Sequence, residues 1–144
     1  MELFEQLEQL STETRCVIGN VTFSFRKIKP FEAFFIADKM REELAQVAME
    51  DVVTQGTDNP LLDLMLGIAK VRSGFVQHMC GDMFPHVYFT DGTGDAMVLS
   101  GNEDRAFEKL QLKDIYEVLV RSLSVNFFDT FKGLLFGSPQ EAQE

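Results

Sequence analysis

His78, Cys80 and His86 stand as H-x-C-x5-H in a chain that has only two histidines and two cysteines. With Cys16 they would supply the four nitrogen and sulfur ligands that tetrahedral zinc takes. The spacing argues against a structural site, because such sites pair their ligands in tight knuckles and no two cysteines here lie two residues apart. Cys80 with His78 or His86 as its base has the makings of a thiol enzyme. Yet Cys80 follows Met79 on an apolar helical stripe, where a thiol packs as a small hydrophobe. Asp91, Asp95, Glu103 and Asp104 offer oxygen ligands for calcium, but without the D-x-[DN]-x-[DN]-G order of an EF-hand loop. Neither G-x-x-x-x-G-K-[ST] nor G-x-S-x-G occurs, and Asp91-Gly92-Thr93-Gly94 lacks the strand context of a nucleotide loop. The residues therefore imply no catalytic residue, metal or cofactor, and the chain reads as a non-enzyme.

The elements that would position these residues follow from periodicity. Leu3, Phe4, Leu7 and Leu10 share one side of a short helix, with Glu2, Glu5, Gln6, Glu8 and Gln9 on the other. Residues 16–28 switch to period two: Val21, Phe23 and Phe25 point one way, Thr22, Ser24 and Arg26 the other, as in a half-buried strand. Gly19-Asn20 either bends this strand or closes a small hairpin with Cys16–Ile18. Lys29-Pro30 starts a second helix over about 31–53, with Phe31, Phe34, Phe35, Ala37, Met40, Leu44, Val47 and Ala48 on its apolar side. Asn59-Pro60 caps and opens a third over 61–80. Its stripe is interrupted by Arg72, which either snorkels to water, as its long stem favours, or pairs with an acid of a neighbouring helix.

Gly81 is the expected stop of that helix. A β-hairpin follows over about 86–99 around Asp91-Gly92-Thr93-Gly94-Asp95, and Ser100 with Glu103 has the spacing of a capping box for a short turn. Leu112–Phe131 then carries the clearest signal. Ile115, Tyr116, Leu119, Val120, Leu123 and Phe127 form one stripe, Lys113, Asp114, Glu117, Arg121 and Ser124 oppose it, and Glu117 precedes Arg121 in favourable order for an ion pair. Together these predict an α+β fold, mainly helical, with an N-terminal strand and a β-hairpin packed on amphipathic helices. Residues 1–137 form one domain, and 138–144 a polar tail expected to be disordered.

A formal charge of −10 repels phosphate backbones and anionic lipid, so neither nucleic acid nor membrane is an expected partner. No apolar run approaches the length of a membrane span, and the acidic start MELFEQLEQL lacks the cations of a signal peptide. The two cysteines are accordingly expected as free thiols in a reducing cytoplasm. The feature left unexplained is surplus hydrophobicity. Val118, Val125, Phe128, Leu134, Leu135 and Phe136 exceed what one helical seam hides. Either the hairpin and first helix cover them, or they serve self-association or binding of another protein.

Three stretches carry a likeness: F-S-F-R-K-I-K-P-F-E-A-F at Phe23–Phe34, G-N-E-D-R-A-F-E-K-L at Gly101–Leu110, and I-Y-E-V-L-V-R-S-L-S-V-N-F at Ile115–Phe127. In this order the chain resembles the tail assembly chaperones of long-tailed bacteriophages. The resemblance implies a chaperone that binds the long hydrophobic tape-measure protein in the host cytoplasm and keeps it soluble until the tail tube forms around it. It further implies absence from the mature virion. A frameshift-extended form of the chaperone, the tail tube protein and further copies of the chain are additional candidate partners. That family has no motif of functional residues, so the candidate partner-binding residues come from the apolar surplus: Val118, Val125, Phe128, Phe131, Leu134, Leu135 and Phe136. A small structural tail or neck subunit is the alternative, and a metal- or thiol-dependent enzyme the remote one.

Overall fold

Two-residue spacing of apolar side chains between Val21 and Phe25 produces the strand around which the sheet is built. A computed structural model describes residues 2–52, 56, 58–92 and 94–136, without the side chains of Met49, Leu134, Leu135 and Phe136. After helix α1 (Leu3–Ser11) come strands β1 (Arg15–Ile18) and β2 (Val21–Phe25). They are joined by Gly19-Asn20, with Gly19 at φ 62°. A two-residue hairpin loop needs such a left-handed position, and glycine takes it without steric cost. Strands β3 (Val87–Thr90) and β4 (Met97–Val98) complete an antiparallel sheet of order β1-β2-β3-β4. The predicted hairpin and the N-terminal strand thus belong to one sheet, through the pairing of Phe23 with Phe89 and Phe25 with Val87. Val21, Phe23, Phe25, Val87 and Phe89 are buried on one face, while Thr22, Ser24, Tyr88 and Thr90 alternate onto the other.

The connection from β2 to β3 is helical: α2 (Pro30–Leu44), a 3-10 turn (Met49–Asp51), α3 (Pro60–Val71), α4 (Ser73–Met83) and a second 3-10 turn (Phe84–His86). Asn59 caps α3 as expected, its side chain accepting from the Leu62 amide. Gln6 of α1, placed by the pattern on a wet face, instead donates to Asn59 at 2.6 Å and accepts from the Leu61 amide at 2.7 Å. This ties the first helix to the start of the third.

Several boundaries differ from the expectation. Helix α2 ends at Leu44, short of the predicted Val53. The single helix over 61–80 is two, broken where Arg72 is extended (φ −143°, ψ 81°) ahead of Ser73-Gly74, residues that propagate a helix poorly. Gly81 lies inside α4, and Pro85 in the following turn ends it. The cap position of α5 (Glu103–Ala106) is Asn102, not Ser100, and the Asn102 side chain donates to the Val98 carbonyl.

Helix α6 (Leu112–Phe136) runs through the centre, against α1, α2, α3, α4 and β2. Being covered on so many sides, it buries Ser124 of the predicted polar face, and Ser122, as well as Leu119, Val120, Leu123 and Phe127 of the apolar one. The Ser124 hydroxyl is satisfied within the helix by the Val120 carbonyl at 2.8 Å. Arg121 pairs with Glu13 at 3.0 Å across the fold rather than with Glu117. The helix kinks at Phe127 (φ −130°, ψ 35°). At that point Lys27 Nζ donates to the Val125 carbonyl at 2.7 Å. Asn126 accepts from the Ile28 amide at 2.8 Å and donates to the Arg26 carbonyl at 3.0 Å. The loop after β2 and the C-terminal part of α6 therefore meet at the kink. The expected polar tail, 138–144, lies outside the described residues.

Candidate functional site

The candidate surface begins where β2 gives way to α2. Lys29 is extended (φ −61°, ψ 143°) and Pro30 fixes the first helical residue, so Phe31, Phe34 and Phe35 follow within the first turns at i, i+3 and i+4. They share a stripe, and it faces solvent: the three residues are 77%, 61% and 56% exposed. Their rings pack edge-on against one another, Phe31 to Phe35 at 5.0 Å and Phe34 to Phe35 at 5.4 Å between centroids. Clusters of large apolar side chains exposed in this way mark sites of protein interaction.

The helix has a second apolar face. Ile36, Ala37, Met40 and Leu44 are buried, and at about 100° per residue they fall roughly opposite the phenylalanines. The expectation of one apolar side holding Phe31, Phe34 and Phe35 together with Ala37, Met40 and Leu44 is therefore corrected. What decides which set goes in is the continuation of each stripe. Asp38, Arg41 and Glu42 extend the phenylalanine stripe toward the helix C-terminus and are exposed; turning that stripe inward would bury three charges. Polar contacts to α4 and to the 3-10 turn after it hold the rotation: Glu32 lies 3.2 Å from His86, Lys39 3.2 Å from Asp82, and Glu43 2.7 Å from His78. Glu43 also lies 3.9 Å from Arg72, so that arginine reaches a neighbouring helix's acid in place of the favoured snorkelling.

The predicted partner-binding residues are placed otherwise. Val118, Val125 and Phe131 are 0%, 3% and 2% exposed within the chain's own core, and so offer no side-chain surface to a partner. The reason is α1, which lies along α6 and supplies the second side that the helix required. Phe128 is half-buried, its ring 6.4 Å from that of Phe4 on α1, with the Lys132 ammonium 5.9 Å from its centroid. Leu134, Leu135 and Phe136 end α6, and their side chains lie outside the described set. A further apolar concavity of about 470 Å³ lies between α4 and the start of α6, lined by Val76, Phe84, Leu112, Ile115 and Tyr116. Leu112 at its edge is 69% exposed.

The residues considered for chemistry are dispersed. His78 is directed to Glu43 and His86 to Glu32, whereas Cys80 lines the concavity between α4 and α6. Burial pushes the Cys80 thiol up to about 12, with the Glu103 carboxylate adding to it. Burial likewise raises Cys16 to about 11, against the opposing pull of Arg121. Both thiols are protonated at neutral pH, the reverse of an activated nucleophile. Asp91 pairs with Arg105 at 3.4 Å. Among the described residues no three His, Cys, Asp or Glu side chains gather as a metal site, and no helix is long and apolar enough to cross a membrane.

No family model, no curated protein and no solved structure matches the chain. What can be said of its role rests on its own residues.

Proposed function

We propose that the chain is a non-catalytic tail assembly chaperone of a long-tailed bacteriophage, binding the hydrophobic tape-measure protein in the host cytoplasm and keeping it soluble during tail assembly. The observation that carries this reading is the cluster of Phe31, Phe34 and Phe35, ring against ring and more than half exposed. A chaperone of this kind must present apolar surface before its client arrives without losing its own fold. A patch on the outer face of a helix anchored by its opposite face meets both demands. The acidic balance of −10 favours the solubility of such a molecule. Phe31 and Phe34 also fall within the first stretch on which the family likeness rests.

Co-expression with the tape-measure protein tests the reading. Wild-type chain should carry the client into the soluble fraction, and the triple variant Phe31→Ser, Phe34→Ser, Phe35→Ser should leave it in the pellet while remaining folded itself. A triple variant that solubilises the client as well as wild type does would remove the patch from the proposal. The chain should also be missing from purified virions by mass spectrometry; its presence there in stoichiometric amount would favour a structural tail or neck subunit.

A further inference from the structure

The loop that delivers the chain from β2 to α2 is basic in an otherwise acidic protein. Arg26, Lys27 and Lys29 fall within four residues, are all exposed, and directly precede the helical turn that carries Phe31, Phe34 and Phe35. With 23 acidic side chains against 13 basic ones, carboxylates are plentiful. Lys39, Arg41, Arg72, Arg105 and Arg121 each have one within 4.0 Å. Among the described residues the other eight have none, and of these Arg26, Lys27 and Lys29 are the ones gathered in a single short loop beside the exposed rings. Arg26 is held instead over the Tyr88 ring, its guanidinium carbon 3.6 Å from the centroid. Lys27 is held by the Val125 carbonyl. The carboxylate nearest in sequence, Glu32, is occupied by His86. Two of the three cations are thus fixed in position, and none is neutralised.

We infer that the basic loop and the phenylalanine patch are one docking surface, and that its occupant is an amphipathic helical segment whose apolar face is flanked by Asp or Glu. The inference rests on the patch being the client-binding surface and adds the charge of what binds there. The rings provide the apolar contact, and the cations at one end of it select an acidic flank and fix the direction in which the segment lies. A lipid surface is the poorer match. A membrane is wider than the molecule and meets its whole charge of −10, whereas a single helix meets only groups within a Debye length of about 8–10 Å.

The test is fluorescence anisotropy on the full chain with two synthetic amphipathic peptides of roughly 18 residues, long enough to present several helical turns. They share a Leu/Phe stripe and differ in having Glu or Lys beside it. The Glu peptide should bind at least about tenfold more tightly than the Lys peptide, and raising NaCl from about 50 to about 500 mM should erase most of the difference. The double variant Arg26→Glu, Lys29→Glu, which leaves Lys27 on its carbonyl, should weaken the Glu peptide about tenfold while its circular dichroism stays that of wild type. Equal binding of the two peptides by wild type, insensitive to salt, overturns the inference whatever the variants do. Binding to vesicles of phosphatidylcholine and phosphatidylglycerol in preference to the Glu peptide also overturns it. The underlying reading fails separately: Phe31→Ser, Phe34→Ser that binds both peptides like wild type removes the patch itself, whereas loss of both peptides with no charge preference leaves the patch standing and discards only the acidic partner.

Discussion

Replacing Asn126 by Ala should cost about 2–3 kcal/mol of stability, although the side chain is partly exposed and belongs to a surface loop contact. Its Oδ1 accepts from the Ile28 amide at 2.8 Å, and its Nδ2 donates to the Arg26 carbonyl at 3.0 Å and the Ser122 carbonyl at 3.3 Å. Ile28 is 8% exposed, so its amide loses its acceptor where water enters poorly. A buried donor left unmade costs about 1–3 kcal/mol. The Arg26 carbonyl is exposed and can turn to water at little cost, and the Ser122 contact is long, so these add only about 0.5–1 kcal/mol together. Asn126→Asp keeps the acceptor for Ile28, places its charge near Lys27 and gives up only the two donated bonds, so its loss should stay below about 1 kcal/mol. Equilibrium unfolding in urea, followed by circular dichroism, measures both. At a slope of about 2–3 kcal/mol per molar, the Ala variant should lower the midpoint by about 1 M with the slope unchanged. If Ala and Asp shift the midpoint equally, or neither shifts it, the Ile28 amide is not what Asn126 serves.

Three other measurements follow from particular residues. Phe131→Ala, emptying a site 2% exposed, should cost about 3–5 kcal/mol, whereas Phe34→Ala should cost under about 1 kcal/mol; equal costs in the same urea titration would contradict their placement. Gly19→Ala should destabilise by about 1–2 kcal/mol, because φ 62° is strained for alanine and its Cβ would come 2.9 Å from Leu110 Cδ2; an unchanged melting temperature would contradict the turn geometry. The Cys80 thiol, raised from 9.0 to about 12, predicts a pH dependence of definite sign. Below pH 9 the thiol is protonated in folded and unfolded chains alike and contributes no slope. As pH rises from about 9 toward 12 the unfolded chain releases a proton that the folded chain retains, so stability falls. Cys80→Ala should flatten that part of the curve, and identical curves for the two proteins would rule out the thiol as its source.

Much of the fold was legible because period alone decides it: the alternation of β2, the Asn59-Pro60 start of α3, and the long stripe of α6. What period could not supply was the partner of each apolar face. Val118 and Val125 looked surplus because a single stripe was allowed one neighbour, while the folded chain gives α6 five. The break at Arg72 was masked by an apolar pattern that runs through it, and only the Ser73-Gly74 pair marked it. The basic run Arg26-Lys27-Lys29 could not be distinguished from an ordinary solvated loop until the phenylalanines that directly follow it were known to face solvent. The exposed phenylalanines had a usable signal: Asp38, Arg41 and Glu42 lie farther along their stripe, so Phe31, Phe34 and Phe35 could not turn inward without taking charges with them.

That constraint explains how the chain keeps an exposed aromatic patch without losing its fold. Burying the phenylalanines would require α2 to roll by roughly half a turn. The roll would expose Ile36, Met40 and Leu44 and part Glu32, Lys39 and Glu43 from His86, Asp82 and His78. It would also carry Asp38, Arg41 and Glu42 into the core, at several kcal/mol for Glu42 and a further desolvation cost for the Asp38–Arg41 pair. Burial of three rings returns about 1.5–3 kcal/mol apiece at most, and less here because they already shield one another. The outward orientation is thus the lower in free energy even with three rings in water. The patch remains available to any partner that can cover it without moving the helix, and the adjoining cations favour a partner that brings negative charge.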